Sequence, residues 1–454
     1  MNTFKNSEPI RILCDEIIKN NTIDNKLYTK FKVKRGLRNS DGTGVMAGIT
    51  NICNVHGYVM NEGEKQPIEG ELIYRGYNIN DIVNNTTGKG RFGFEETIYL
   101  LLMGELPDRR QLENFCKILS SRRELPQGFA EDMILKAPSN NIMNKLARSV
   151  LALYSYDETA EDQSIEAEIG RSISLIARLP NIMVNAYQVK RRVFDKDSLI
   201  MHQLIEEENT AQSILSTLRL DRKYTEEEAA LLDLCLMLHA EHGGGNNSTF
   251  TCRVLTSSGT DTYAAYAGAI SSLKGHRHGG ANIKVMQMLE DIKAHVKHWE
   301  NEGEVADYLR KILNKQANDY SGLIYGMGHA VYTISDPREK ILKSQAMKLA
   351  EGKEIYREFK LLDMVENLTP QLFAEVKGDT KTMCANVDMY SGLVYKMLNI
   401  PTELYTPLFA VARMAGWSAH RIEEMLTGKR IIRPAYKAIA KPKKYIPIDK
   451  RNFV

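Results

Sequence analysis

Between Pro180 and Pro337 the chain has no proline, and the whole sequence contains only 13. Proline is the residue that obligatorily interrupts a helix, so this interval is free to form long ones. Cysteine is also sparse. The six present, at positions 14, 53, 116, 235, 252 and 384, show no CxxC spacing. That excludes a disulfide framework and a cysteine zinc site, and the expectation is reduced, mostly buried thiols. Long apolar runs are missing as well. The longest, such as Ile98 to Met103, fall well short of the roughly 20 residues that cross a bilayer. The polar start, Met1 to Ser7, lacks the apolar core of a secretory signal, so a cytoplasmic protein without membrane anchor is expected. Nor does charge of one sign dominate. With 60 basic and 57 acidic residues and a net charge of +3, the molecule as a whole is not a nucleic-acid binder.

Any attraction for anions must therefore be local. From Gly428 to Arg451 the chain carries nine Lys or Arg against one acid, Asp449, which reads either as a solvated basic tail or as an anion-receiving one. With 454 residues and 43% hydrophobic content, a large core and two or three domain-sized units are expected. Thr225-Glu226-Glu227-Glu228 has capping-box form, followed by Leu231, Leu234, Cys235 and Leu238 at helical spacing; this helix should run through His239–His242 and stop at Gly243. Further helices are expected from Thr262 to Lys274 and from Ala281, with Asp336-Pro337 and Thr406-Pro407 as N-cap and first-turn pairs. Strand-like alternation is confined mainly to Ile49–Tyr77. The fold class is mainly α, with a small β element near the N-terminus.

Candidate chemistry sits in glycine-containing turns late in the chain: Gly275–Asn282, Gly326–Tyr332 and Asn386–Gly392. Such turns let side chains and backbone N–H groups approach a ligand, and His and Asp move protons near neutral pH. His278 precedes the helix at Ala281, whose dipole disfavours an imidazolium, so a neutral donor to an enolate oxygen is one reading and a turn-satisfying histidine the other. His276 competes with it. Arg338, in the first turn of a helix, opposes the dipole; it either marks an anion site or pairs with Glu339 or another acid. Asp388 is either a helix cap or a positioned base. Arg413 is the only charge between Leu408 and Ala419, so it needs a buried anion, whether a structural carboxylate or a substrate's. His239 and His242, three apart beside Glu241, invite a metal reading, but the chain has neither HExxH nor the PCxxC partner of a zinc deaminase. No GxGxxG follows a strand, and GxxxxGK[ST] is absent.

Taken together, His239-Ala240-Glu241-His242, His278-Gly279-Gly280-Ala281-Asn282, Gly328-His329-Ala330-Val331-Tyr332, Asp336-Pro337-Arg338, Asn386–Gly392, Ala412-Arg413 with Gly416-Trp417, and Arg433-Pro434 resemble citrate synthase from about Glu71 to Tyr436. Tyr74–Tyr77 and Phe94–Leu102 look like the family too. The resemblance implies a two-domain helical fold, with residues 1–277 and 389–454 forming the large domain and 278–388 a small domain inserted between them. It implies that Asp388 removes a methyl proton from acetyl-CoA, that His278 stabilises the enol or enolate, and that His329 polarises the ketone of oxaloacetate. His242, Arg338, Arg413 and Arg433 would hold oxaloacetate, with Arg433 supplied by the neighbouring subunit of a homodimer. Gly326, Gly328 and the basic tail would meet coenzyme A, which serves as a thioester substrate. No metal, redox cofactor or nucleic acid is implied.

The chain departs from the family at His276-Arg277, where a proline-containing turn is usual, at Met327, which replaces an aromatic, and at Gly243, which replaces a common Glu. Acetyl and propionyl differ by one methylene, worth about 1–3 kcal/mol in an apolar pocket. A 2-methylcitrate synthase using propionyl-CoA is therefore the alternative.

Overall fold

The computed structural model describes residues 14, 17–39, 42–62, 64–378 and 383–451. They fall into two compact units, Met1–Ala47 with Ile432–Val454, and Gly48–Ile431. In the first, the short helix Lys26–Lys30 is followed by irregular chain, and the C-terminal stretch is extended apart from one turn at Ile448–Lys450. That stretch is more than a charged tail, because Tyr436 is 95% and Ile448 76% exposed.

The second unit opens with a β-hairpin, β1 (Cys53–Asn61) and β2 (Glu64–Tyr74), in which Cys53 faces Tyr74 and Asn61 faces Glu64, with an irregularity between His56 and Tyr58. β3 (Tyr77–Asn78) adds antiparallel to β2. The strand expectation for this region holds. Everything after it is helical or connecting chain.

The helices that matter for the site are α1 (Ile165–Lys190), α2 (Glu226–His239), α3 (Asn247–Ser257), α4 (Thr262–Leu273), α5 (Ala281–His295), α6 (Pro337–Ala350), α7 (Tyr356–Lys377), α8 (Asp388–Met397) and α9 (Tyr405–Thr427). α9 is buried on all sides from Tyr405 to Ile422, as a helix apolar around its whole circumference must be. It packs against α1, α2 and α3. A second cluster forms where α8 meets α5, α6 and α7, while α6 also touches α2 and β2. One continuous apolar core, including Leu234, Val285, Leu393, Leu408 and Trp417, runs through both clusters. Among the described residues, no helix is long and apolar enough to cross a membrane. All six cysteines are unpaired; Cys235, Cys252 and Cys384 are buried, whereas Cys14 is exposed.

Candidate active site

α2 begins with the expected capping box between Thr225 and Glu228. It ends at His239, earlier than the sequence pattern implied, because tertiary bonds take over from helical ones. Ala240 O accepts Gly416 N–H at 3.2 Å, and Tyr74 Oη donates to Glu241 O at 3.0 Å. The freed turn places His239 and His242 in the interior. Arg413 reaches this turn from α9. Its Nε donates to His239 O at 2.7 Å, and its guanidinium lies 4.7 Å from the Phe409 ring centre.

The rest of Arg413 is unsatisfied. Nη1 and Nη2, both ring nitrogens of His239 and Nε2 of His242 are buried with no hydrogen-bond partner among the described residues. An uncompensated buried guanidinium costs several kcal/mol. Of the two partners the sequence left open for Arg413, no structural carboxylate hydrogen-bonds it among the described residues. Burial first, then Arg338 and other nearby cations, hold His239 and His242 well below the ordinary histidine range, so both rings are neutral.

His329 is delivered by a short antiparallel pairing between the Gly326–Gly328 turn and the chain just before Asp388. Gly328 N donates to Cys384 O at 2.8 Å, Asn386 N to Gly326 O at 2.9 Å, and Asn386 Nδ2 to Gly328 O at 2.9 Å. Gly326 has φ +85°, and a Cβ there would lie 2.6 Å from Met389 Sδ, so only glycine fits. Val331 N and Tyr332 N both donate to His329 Nδ1 at 3.1 Å, which puts the ring proton on Nε2. The ring stacks on Tyr332 at 4.7 Å and meets His242 edge-on at 5.1 Å. The β-hairpin holds this loop from behind. Tyr332 Oη donates to Glu71 O at 3.1 Å, and a side chain at Gly70 would collide with Ser335 O and the Tyr332 ring.

Asp336 caps α6 as expected, accepting Arg338 N at 3.0 Å, with Pro337 in the first turn. The same carboxylate takes Arg338 Nε at 3.0 Å and Nη2 at 2.7 Å. The partner of Arg338 is therefore its own N-cap and not Glu339, and the residue is 4% exposed, not a surface arginine. Burial works against its charge, but Asp336 outweighs burial and holds the pKa above the ordinary value.

His278 is fixed by α3. Ser248 N donates to its Nε2 at 3.3 Å, and Ser248 Oγ, which accepts from Trp417 Nε1 at 3.2 Å, lies 3.0 Å from the same nitrogen. Nε2 is thus unprotonated and Nδ1 carries the proton. Burial, then the charge of Arg413, lowers the pKa to about 4. The expectation of a neutral ring holds, but its cause differs from the one inferred, since the helix start bonded to His278 is that of α3 and not the one at Ala281. Thr406, expected to cap the last helix, instead donates its hydroxyl to Gly279 O at 2.9 Å, and α9 begins one residue earlier, at Tyr405. His276, the competitor, is exposed.

Asp388 is not the cap of its helix. Asn386 Oδ1 accepts Asp388 N at 3.0 Å, and among the described residues no donor engages the Asp388 carboxylate. Burial, opposed by Arg338 and Arg413, raises its pKa to about 6. Arg433 belongs to the terminal unit, where it is exposed, and is not among the residues assembled in Gly48–Ile431. Ser248, Asp336 and Thr406 escaped sequence reasoning as site components because each looked like ordinary capping chemistry. Among the described residues, no group of three His, Cys, Asp or Glu is placed to hold a metal ion. An open cavity of about 480 Å³ lined by Arg122, Asp157, Arg171 and Arg178 contains none of these site residues.

Fold and site together define the class: a mainly α-helical enzyme that gathers neutral histidines, a carboxylate of raised pKa and unpaired cationic donors. The model of the citrate synthase C-terminal domain matches residues 39–435. The chain is 32% identical over 387 residues to the citrate synthase of Haloferax volcanii, covering 84% of this chain and 93% of that protein. It is 31% identical over 381 residues to the 2-methylcitrate synthase of Shewanella oneidensis, covering 84% and 92%. A structure of the Thermoplasma acidophilum citrate synthase in ternary complex with carboxymethyl coenzyme A and oxaloacetate superposes with TM-score 0.73 and 26% identity, covering 92% of this chain and 99% of that one. The chain belongs to the citrate synthase family and is an enzyme of the citrate (Si)-synthase type.

Proposed function

We propose that the chain joins the methyl carbon of acetyl-CoA to the ketone carbon of oxaloacetate and hydrolyses the citryl thioester, releasing citrate and CoA. The observation that carries this reading is Arg413, fully buried with both terminal nitrogens unpaired among the described residues, since a dicarboxylate supplies the missing acceptors. Arg338, Arg413 and His242 hold oxaloacetate. His329, with its proton on Nε2, polarises the ketone. Asp388, ionised above a pKa of about 6, takes the methyl proton, and the Nδ1–H of His278 donates to the enolate oxygen that forms. The enol carbon attacks the ketone, and water then cleaves the thioester. Base, oxyanion donor and cations are all side chains, so the chemistry calls on no metal or redox cofactor.

The same reading assigns residues 278–388 to a small domain that closes over oxaloacetate and excludes water. The Gly326–Gly328 turn and the basic tail receive the CoA phosphates and adenine. The functional molecule is a homodimer in the cytoplasm, and Arg433 completes the carboxylate site from a second copy of the chain. The exposed Tyr436, Tyr445 and Ile448 beside it support that assignment, because apolar side chains along an extended arm gain by burial against a partner.

A second reading, 2-methylcitrate synthesis from propionyl-CoA, is favoured by a relative of that name with about the same identity as the citrate synthase. Thiol release from oxaloacetate with each acyl-CoA separates the two. Faster turnover with acetyl-CoA is expected; faster turnover with propionyl-CoA supports the second reading, and no CoA from either donor refutes both.

A further inference from the structure

We propose that His420, pinned by Arg253, restrains the buried carboxylate of Glu241 from pairing with Arg413, and so keeps Arg413 available to a substrate carboxylate. The inference rests on the reading of Arg413 given above. Arg253 donates to His420 Nδ1 from Nε at 3.1 Å and from Nη2 at 2.7 Å, and is itself tied to Glu423 and to Glu424, the latter at 2.9 Å. Arginine only donates, so Nδ1 must accept and the ring proton sits on Nε2. That nitrogen lies 3.0 Å from Glu241 Oε1, which also accepts Gly243 N–H at 2.5 Å. One oxygen of Glu241 is thereby held from two directions.

The other oxygen, Oε2, is buried without a partner among the described residues and packs on Gly416, where a Cβ would collide with it. Gly416 lies three residues beyond Arg413 on α9, hence on the same face. Two buried opposite charges, each with unsatisfied atoms, thus stand about one helical turn apart without joining. Attraction between such charges is strong in a poorly solvated interior, and only a competing set of hydrogen bonds holds them apart. Each charge feels the other: Glu241 opposes the burial-driven lowering of the Arg413 pKa, and Arg413 helps hold Glu241 below its ordinary value against the upward push of burial. Were the pair to close, it would occupy the nitrogens assigned to the substrate.

The test is steady-state kinetics with acetyl-CoA saturating and oxaloacetate varied. His420→Leu removes the restraining donor, and we expect the KM for oxaloacetate to rise about tenfold, with kcat changed by less than about threefold. His420→Gln keeps an N–H donor and should stay near the wild-type KM. Adding Glu241→Gln to His420→Leu removes the competing charge and should restore KM to within about threefold of wild type, an effect that general loosening of the fold cannot produce. An unchanged KM in His420→Leu, or a double variant no better than the single, overturns the proposal. If His420→Leu does not fold, Arg253→Met, which unpins the ring, should give the same rise and the same rescue by Glu241→Gln, and failure of either is equally decisive. Wild type is assayed alongside: absence of CoA release there counts against the proposed reaction, whereas normal wild-type turnover with unresponsive variants counts only against the restraint.

Discussion

Asp388→Asn should abolish turnover and, unusually for a change in a buried region, stabilise the protein at neutral pH. The Asp388 carboxyl has a pKa near 6 in the folded chain, against an ordinary value of 3.8. A raised carboxyl pKa means that the folded state binds the proton more tightly than the unfolded state. Stability is therefore lost as pH rises through the unfolded pKa near 4 towards the folded pKa near 6, and the loss is complete above it. A shift of about two units corresponds to about 3 kcal/mol at 1.36 kcal/mol per unit. Partial exposure reduces this to about 2 kcal/mol. Asparagine has nearly the same shape and never ionises. In urea unfolding at fixed protein concentration, the difference between Asp388→Asn and wild type should be small at pH 4 and grow to about 2 kcal/mol in favour of the variant by pH 7.5. A variant less stable than wild type at pH 7.5, or a difference independent of pH, would refute the argument that burial strains this carboxylate.

The same ionisation should appear in catalysis, with kcat rising through a pKa near 6 to a plateau; His278, at about 4, titrates too low to add a second limb above pH 5. A profile flat between pH 5 and 8 contradicts the assignment of Asp388 as base. Arg413→Ala removes two charge-assisted donors and should weaken oxaloacetate binding by about 3 kcal/mol, roughly a hundredfold in Kd by calorimetry; unaltered affinity would show that the substrate lies elsewhere. Gly70→Ala should cost about 1–3 kcal/mol of stability and lower activity, because its Cβ meets Ser335 O and the Tyr332 ring and pushes the His329 loop outward. Wild-type stability and kinetics in that variant would mean the hairpin does not support the site.

Local chemistry was legible wherever a residue and its partner lie within a turn of each other. The capping box of Thr225 and Glu228, the Asp336-Pro337 start of α6 and the span of the hairpin all follow from nearest-neighbour rules. Where the partner is distant in sequence, the same rules misassigned the bond. The Thr406 hydroxyl bonds Gly279 O, 127 residues away, and not its own helix start. Asp388 looked like a cap, but Asn386 holds that place, which leaves the carboxylate for other work.

What the sequence determined by itself is the inventory: helix-forming stretches, two histidines and an aspartate in glycine turns, and an isolated arginine in an apolar helix. Their types and order suffice for family recognition, because the reaction needs those groups. Only tertiary structure decided their states. Which nitrogen of His278 and His329 carries the proton depends on Ser248, Val331 and Tyr332. Whether Arg413 is satisfied depends on His239 O and on Glu241 being held by His420. Protonation and pairing are set by burial and by neighbours tens to hundreds of residues away, and those neighbours exist only once the chain has packed.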